Sequence, residues 1–485
     1  MKKFVSVILG LLFIFGTPNY AQSKVLPSDK DIKPRVIVTS DGEIDDECSM
    51  VRFLLYASEW DVEGIITSSS QYHWHGHNWA GDDWIDPYLE AYEKVYPNLI
   101  LHDKAYPSPE HLRSVAFLGN VEAEGEMDSI TPGSQHIVKV LLDETDPRPV
   151  WVQAWGGTNT IARALRTIEE EYPEKMAEVA AKIRFFFIWE QDSTYQSYIR
   201  PQWGKYSIPT IISDQFEAIA YRWKGIQPES MYQYFTAAWM KEKILQNHGP
   251  LCSLYRAHIT GDKGFDDGDF RSEGDSPSFI HNIVTGLRNM ESPGWGGWGG
   301  RYVLVRENTW LDPVPDLAFE YPEGRWYSGS TWGMRMTREG ATSSTNPQYR
   351  EYFKPIWRWS DAMQNDFAAR ADWCMKPFSE ANHPPVVKLK NELNITAKPG
   401  EEVELNGAGT FDPDKDKLSF TWWQYEEADT YPGKVLITKA LELKARMTVP
   451  ADMEAGQTIH IVFEVKDNGS PILTRYQRII LRVSP

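Results

Sequence analysis

Cysteine is scarce. The 485 residues hold only Cys48, Cys252 and Cys374, enough for one internal bridge with three possible pairings, so no disulfide framework carries the fold. No C-x-x-C or H-E-x-x-H spacing occurs, which leaves a structural zinc site or a zinc-protease arrangement without support. Positive charge is in deficit: 50 Lys and Arg face 68 Asp and Glu, a formal charge of −18. Such a surface repels phosphate backbones and anionic headgroups, so a nucleic-acid polymer is not an expected partner. Long apolar runs are missing as well, apart from Phe4 to Phe15, which falls short of the about 20 residues a membrane helix needs. Lys2 and Lys3 before that run, with Pro18 and a small-residue site near Ala21 after it, mark residues 1–21 as a secretory signal. The mature chain is expected in the periplasm or outside the cell, without membrane insertion.

What is present is ordinary for a globular protein, with 41% hydrophobic and 24% charged residues. At roughly 100–200 residues per domain the length predicts two to four domains. The 13% aromatic content fits a large core and also suits stacking on sugar rings.

The first segment alternates short β-branched runs with helical periodicity. Arg35 to Thr39, Gly64 to Thr67, Val150 to Ala154 and Ile183 to Trp189 read as strands. Helical spacing follows Asp46 through Met50, Phe53, Leu54 and Ala57, and recurs over 137–142 and 161–171. Strand–helix alternation predicts an α/β fold, a mostly parallel sheet with helices on both faces. The pattern changes near Asn382-His383-Pro384-Pro385, and short alternating strands with turn residues follow to the end. About 100 residues of this kind predict a C-terminal all-β immunoglobulin-like sandwich. The expected organisation is an α/β domain over 30–376, a Pro-rich junction near 377–385 and a sandwich over 383–485.

The most informative stretch is Val38-Thr39-Ser40-Asp41-Gly42-Glu43-Ile44-Asp45-Asp46. In a parallel α/β sheet ligands bind beyond the carboxyl ends of the strands, where this turn would lie. Crowded aspartates repel one another, and a hard cation with oxygen ligands would relieve that; Ca²⁺ takes six to eight such ligands. Helix capping by Asp45 and Asp46 accounts for one or two of the acids but not for all three, which favours a metal.

At these residues the chain resembles the inosine-uridine-preferring nucleoside hydrolase superfamily, whose first strand ends in D-x-D-x-x-x-D-D. Asp41, Asp45 and Asp46 match its last three acids, and Thr39 stands in place of the first. The resemblance continues through Glu63-Gly64-Ile65-Ile66-Thr67, through Gly156-Gly157-Thr158-Asn159-Thr160-Ile161-Ala162, and through Gly274-Asp275-Ser276-Pro277-Ser278. It implies that Asp41, Asp46 and Asp275 ligate Ca²⁺ with a backbone carbonyl of Thr158 or Asn159. It further implies that Asp41 is the general base and that Asp45 binds sugar hydroxyls. Glu190, Gln191 and Asp192 lie where the family places further sugar-binding side chains, and an ordinary polar strand-to-loop junction is the competing reading. Gly274 occupies the position where nucleoside-specific relatives often carry a His that protonates the leaving base, so free nucleosides are the less favoured substrates. Glu273, or one of His73, His75 and His77, is the candidate replacement acid.

The layout is also similar to secreted bacterial cellulose-binding proteins that join a nucleoside-hydrolase-like domain to a C-terminal β-sandwich. Beyond the acidic turn and Glu273-Gly274-Asp275-Ser276-Pro277, the stretch Gly294-Trp295-Gly296-Gly297-Trp298-Gly299-Gly300-Arg301-Tyr302 carries that resemblance. Trp295 and Trp298 are expected either to stack on pyranose rings or to pack as a lid on the core. Trp422 and Trp423 point to opposite faces of one strand, so at most one is core, and the D-x-D-x-D run Asp412 to Asp416 is expected to be a turn. Two functions stay open: a secreted, calcium-dependent hydrolase of a glycosidic bond in a carbohydrate or glycoside, and a non-catalytic binder of cellulose or another plant polysaccharide.

Overall fold

The computed structural model describes residues 33–323, 332–338 and 346–484; the expected signal at 1–21 lies outside them. Eight strands form one sheet: β1 (Arg35–Ser40), β2 (Asp61–Thr67), β3 (Ala116–Leu118), β4 (Val150–Ala154), β5 (Ile183–Ile188), β6 (Thr210–Ser213), β7 (Val303–Arg306) and β8 (Thr309–Leu311). Their order is β3-β2-β1-β4-β5-β6-β8-β7, and every pairing is parallel except β7 with β8. Strands buried on both faces read as continuous apolar runs, and β1 and β4 are buried along their whole length. Alternate residues serve opposite faces. Ile37 joins Ile66, Val152, Ile161 and Leu165 in one apolar cluster, while Val36 and Val38 join Phe53, Leu54, Trp155 and Phe279 in the other.

The chain runs from β1 outward to β2 and β3 on one side, then returns to lay β4 on the other. β1 and β4 therefore flank the point where strand order reverses, and the region beyond their carboxyl ends is where open α/β sheets bind ligands in a crevice.

The C-terminal strands are β9 (Asn394–Ala397), β10 (Glu402–Asn406), β11 (Ser419–Gln424), β12 (Ile437–Thr438), β13 (Lys444–Thr448), β14 (Thr458–Lys466) and β15 (Thr474–Val483). They form sheets of order β10-β13-β12 and β11-β14-β15-β9, the two-layer arrangement of an immunoglobulin-like sandwich. Leu405, Met447, Ile461 and Ile479 share its core with Trp422, whose ring stacks on Phe463 at 4.1 Å. Trp423 points the other way, against Trp359 of the helix-rich region. The Asp412 turn is closed by its own backbone, since Asp412 Oδ1 accepts from the amides of Asp414 and Asp416, and Asp414 accepts from His383.

Sheet and sandwich belong to one compact unit. β15 continues its ladder onto the α/β region: the amides of Tyr476 and Arg478 donate to the carbonyls of Thr285 and Gly286, each at 3.0 Å. A side chain at Gly286 would collide with the Tyr476 carbonyl. Arg475 pairs with the buried Asp366 at 2.6 Å. The three cysteines are free and buried.

Candidate functional site

After β1 the chain turns at Gly42, whose φ of +73° lies where only glycine is unstrained. The turn places Asp41, Glu43, Asp45 and Asp46 beyond the carboxyl end of β1. Glu43 is the N-cap of helix Ile44–Leu55 yet makes no side-chain capping bond, so capping does not account for these acids. Asp46 Oδ1 instead accepts from the Ser40 hydroxyl at 2.5 Å. Asp275, at the start of helix Ser276–Ile280, comes from the far end of the α/β region to meet them.

Carboxylate oxygens of Asp45, Asp46 and Asp275 lie within 4.8 Å of one another, all buried, and Asp41, Glu43 and the His73 ring form a second cluster of the same span in which only Asp41 is buried. Among the described residues no Lys or Arg pairs with Asp41, Asp45, Asp46 or Asp275. Asp41 Oδ2 and Asp275 Oδ2 are buried without a hydrogen-bond partner, which proteins tolerate rarely. Burial first, and then mutual repulsion, push Asp45, Asp46 and Asp275 well above the usual carboxylate range. Burial acts on Asp41 as well, but the neighbouring His73 outweighs it and holds this carboxyl below its ordinary value. His73 Nδ1 sits 3.5 Å from both Asp41 Oδ2 and Glu43 Oε2; burial opposes its charge, and those two acids prevail and raise its pKa. The Tyr221 hydroxyl spans Glu43 Oε1 at 2.8 Å and Asp45 Oδ1 at 3.1 Å.

Two glycines seat the acids. A side chain on Gly274 would collide with the Asp45 carboxylate, and one on Gly156 would press on Asp41. A larger residue at Gly274 would displace the Asp45 carboxylate from its present place.

The structure brings Asp41, Asp45, Asp46 and Asp275 together and distributes the other candidates elsewhere. The Thr158 hydroxyl bonds Asp192 and Thr194, its carbonyl accepts from the Ala162 amide, and Asn159 Nδ2 donates to Ser69 and Asn120. Asp192 accepts from Thr158, Thr194 and the Asn159 amide, which braces the start of helix Asn159–Glu171. Glu190 is held by Gln196 and Gln191 by the carbonyls of Trp155 and Ile188. Glu273 is likewise engaged inside the fold. It is fully buried and forked onto Arg52, with Tyr255 and Ser276 also donating to it.

The Gly-Trp stretch does not return to the crevice. Trp298 is buried, edge-on to Tyr476 with Arg475 over its ring, and Trp295 meets His460 of the sandwich. Both indoles are spent on the junction between the α/β region and β14–β15. Of the three histidines, His73 faces the acids, His75 pairs with Asp82 and Glu122, and His77 stacks on Trp74. Glu43 and Tyr221 were not anticipated. Glu43 lay in plain view within the acidic turn, whereas nothing around Tyr221 in the sequence signals its role.

The profile for the nucleoside hydrolase-like domain of cellulose-binding Sde182 matches residues 35–302, and the profile for the C-terminal domain of cellulose-binding protein Sde0182 matches 402–483. The chain belongs to the cellulose-binding Sde182 family. In line with that membership, it overlays with a TM-score of 0.72 on a nucleoside hydrolase-related hypothetical protein from Saccharophagus degradans described as associated with carbohydrate metabolism. Identity is 29% over 93% of this chain and 100% of that one. A plant nucleoside hydrolase (TM-score 0.31, 12% identity, 58% of this chain and 87% of its own) and an inosine-guanosine nucleoside hydrolase (0.29, 12%, 67% and 98%) are likenesses too weak to carry an argument. No curated protein matches the chain. In the Sde182-family acidic pocket the Asp45, Asp46 and Asp275 carboxylates are buried together while His73 stands against Asp41 and Glu43, and no helix among the described residues is long and apolar enough to cross a membrane.

Proposed function

We propose that this Sde182-family chain is a secreted, calcium-dependent hydrolase of a glycosidic bond in a carbohydrate or glycoside, cellulose or another plant polysaccharide being the expected ligand. One observation carries it: the carboxylates of Asp45, Asp46 and Asp275 are buried within 4.8 Å of one another, an Asp275 oxygen has no partner, and no Lys or Arg among the described residues pairs with them. Oxygen-only donors suit a hard ion, and Asp45, Asp46, Asp275 and Asp41 are the residues that would hold it. A divalent cation there supplies Lewis-acid activation of water and neutralises the carboxylates.

The chain's own residues do the rest. Asp41 stays ionised beside His73 and takes the proton of the attacking water at Oδ2. Tyr221 fixes Glu43 and Asp45 so that their free lone pairs face the sugar hydroxyls. Gly274 carries no side chain and so supplies no acid to a leaving group on that side, which disfavours free nucleosides.

The same lack of an acid favours a second reading, a pocket that holds calcium and glycan without turnover. Comparing wild type with Asp41→Asn for release of reducing sugar or free base across a glycan and nucleoside panel separates the two. Hydrolysis predicts release by wild type and a loss of about 100-fold or more in the variant. Equal, background-level release by both proteins on every substrate leaves only binding.

A further inference from the structure

We propose that the loop between β2 and helix Asp86–His102, with Trp74 and Trp79 at its surface, is the platform on which an uncharged glycan lies as it enters the acidic pocket. The inference rests on the reading of that pocket as a carbohydrate site and specifies the class of carbohydrate. The loop forms one wall of the pocket: His73 faces Asp41 and Glu43, while Ala80 and Trp84 crowd Gly42. Trp74 and Trp79 are therefore one residue from pocket-lining positions, and both are only half-buried, unlike Trp298.

Their rings are already ordered. Trp74 stacks on the exposed His77 at 4.2 Å and 23°, and Trp79 stands edge-on to His75 at 5.0 Å while its indole N–H donates to Asp82 at 3.0 Å. The backbone is pinned at three points, from the Ser70 amide to the His73 carbonyl, the Gln71 amide to the Gln191 carbonyl and the His75 amide to the Val121 carbonyl. A preorganised aromatic surface binds a sugar face with little ordering cost.

Charge selects the class. No Lys or Arg occurs between Arg52 and Lys94, or between Arg113 and Lys139, while Asp82, Asp83 and Glu122 stand exposed around the rings. A uronate or sulfated chain would be repelled, and a neutral polymer would not.

The test measures binding of the calcium-loaded full chain to a neutral cello-oligosaccharide, a neutral xylo-oligosaccharide and an oligogalacturonate. Wild type is expected to bind at least one neutral glycan and to bind oligogalacturonate far more weakly. Trp74→Ala with Trp79→Ala is expected to weaken neutral-glycan binding about tenfold or more. Trp74→Phe with Trp79→Phe should recover most of it. Should the alanine variant fail to fold, oxidative labelling of wild-type indoles read by mass spectrometry replaces it, with protection of Trp74 and Trp79 by glycan expected. Undiminished binding in the alanine variant, unprotected indoles, equal affinity for oligogalacturonate, or no glycan binding at all each overturns the proposal. Background-level release by wild type on every substrate, together with Trp-dependent glycan binding, would instead overturn the hydrolase reading alone.

Discussion

Replacing Asp275 by Asn should stabilise the protein without calcium and destabilise it, relative to wild type, with calcium. Asp275 lies within 4.8 Å of Asp45 and Asp46, and one of its oxygens has no partner. At that separation and an effective dielectric of 20, two ionised carboxylates repel by about 3 kcal/mol. Proton uptake by acids pushed well above their usual range relieves part of this, so Asn is expected to gain about 1–3 kcal/mol in chelator. Calcium reverses the sign, because an ion bound only by the folded state adds about 2.7 kcal/mol at a hundred times its dissociation constant. Removing one anionic ligand forfeits most of that. The assay is thermal unfolding of wild type and Asp275→Asn in EDTA and in millimolar calcium, reading midpoints that should cross between the two conditions. A variant that is less stable than wild type in EDTA and gains the same shift with calcium would refute the electrostatic account of the pocket.

Glu217 offers a pH test away from these acids. Burial pushes its carboxyl to about 7 from 4.5, so the folded state holds its proton more tightly than the unfolded one, and about 3 kcal/mol of stability present below pH 4.5 is lost as pH rises through 7. Glu217→Gln should gain on wild type in urea unfolding at pH 8 relative to pH 5, and a pH-independent difference would contradict this. Arg478 is buried at the sandwich junction and donates to the carbonyls of Trp295 and Gly296 at 2.6 and 3.0 Å. Arg478→Ala leaves both unpaired and should cost about 3 kcal/mol in urea unfolding, whereas a loss under 1 kcal/mol would mean the junction is not braced there.

Because the sandwich is joined by strand hydrogen bonds, by Arg475 to Asp366 and by the Trp359–Trp423 contact, it is built into the body of the protein and covers the indoles of the Gly-Trp stretch. A glycan entering by the route proposed above would meet the half-buried aromatics beside His73 rather than the indoles of the Gly-Trp stretch.

Much of this was legible in residue order. β1, β4 and β5 show themselves as short β-branched or aromatic runs, because a strand buried on both faces must be apolar throughout, and the observed bounds differ from the expected ones by a residue at most. The acidic turn was legible because its crowding is local: Asp41, Asp45 and Asp46 are close in space for the same reason that they are close in sequence. The partners of Glu273 and Asp192 were not legible, since a polar side chain beside a motif looks the same whether it faces a ligand or an internal partner. Arg52 and the helix-start amide of Asn159 are partners that only packing supplies.

The sequence alone thus determined the layered α/β sheet, the sandwich and the acids at the end of β1, because periodicity and local charge are short-range properties. Tertiary structure decided which distant groups complete the site and which aromatics remain open to solvent. Asp275 reaches Asp46, Tyr221 reaches Glu43 and Asp45, and Trp298 is lost to Tyr476 through contacts set by how β1, β4 and β15 pack, which no local pattern encodes.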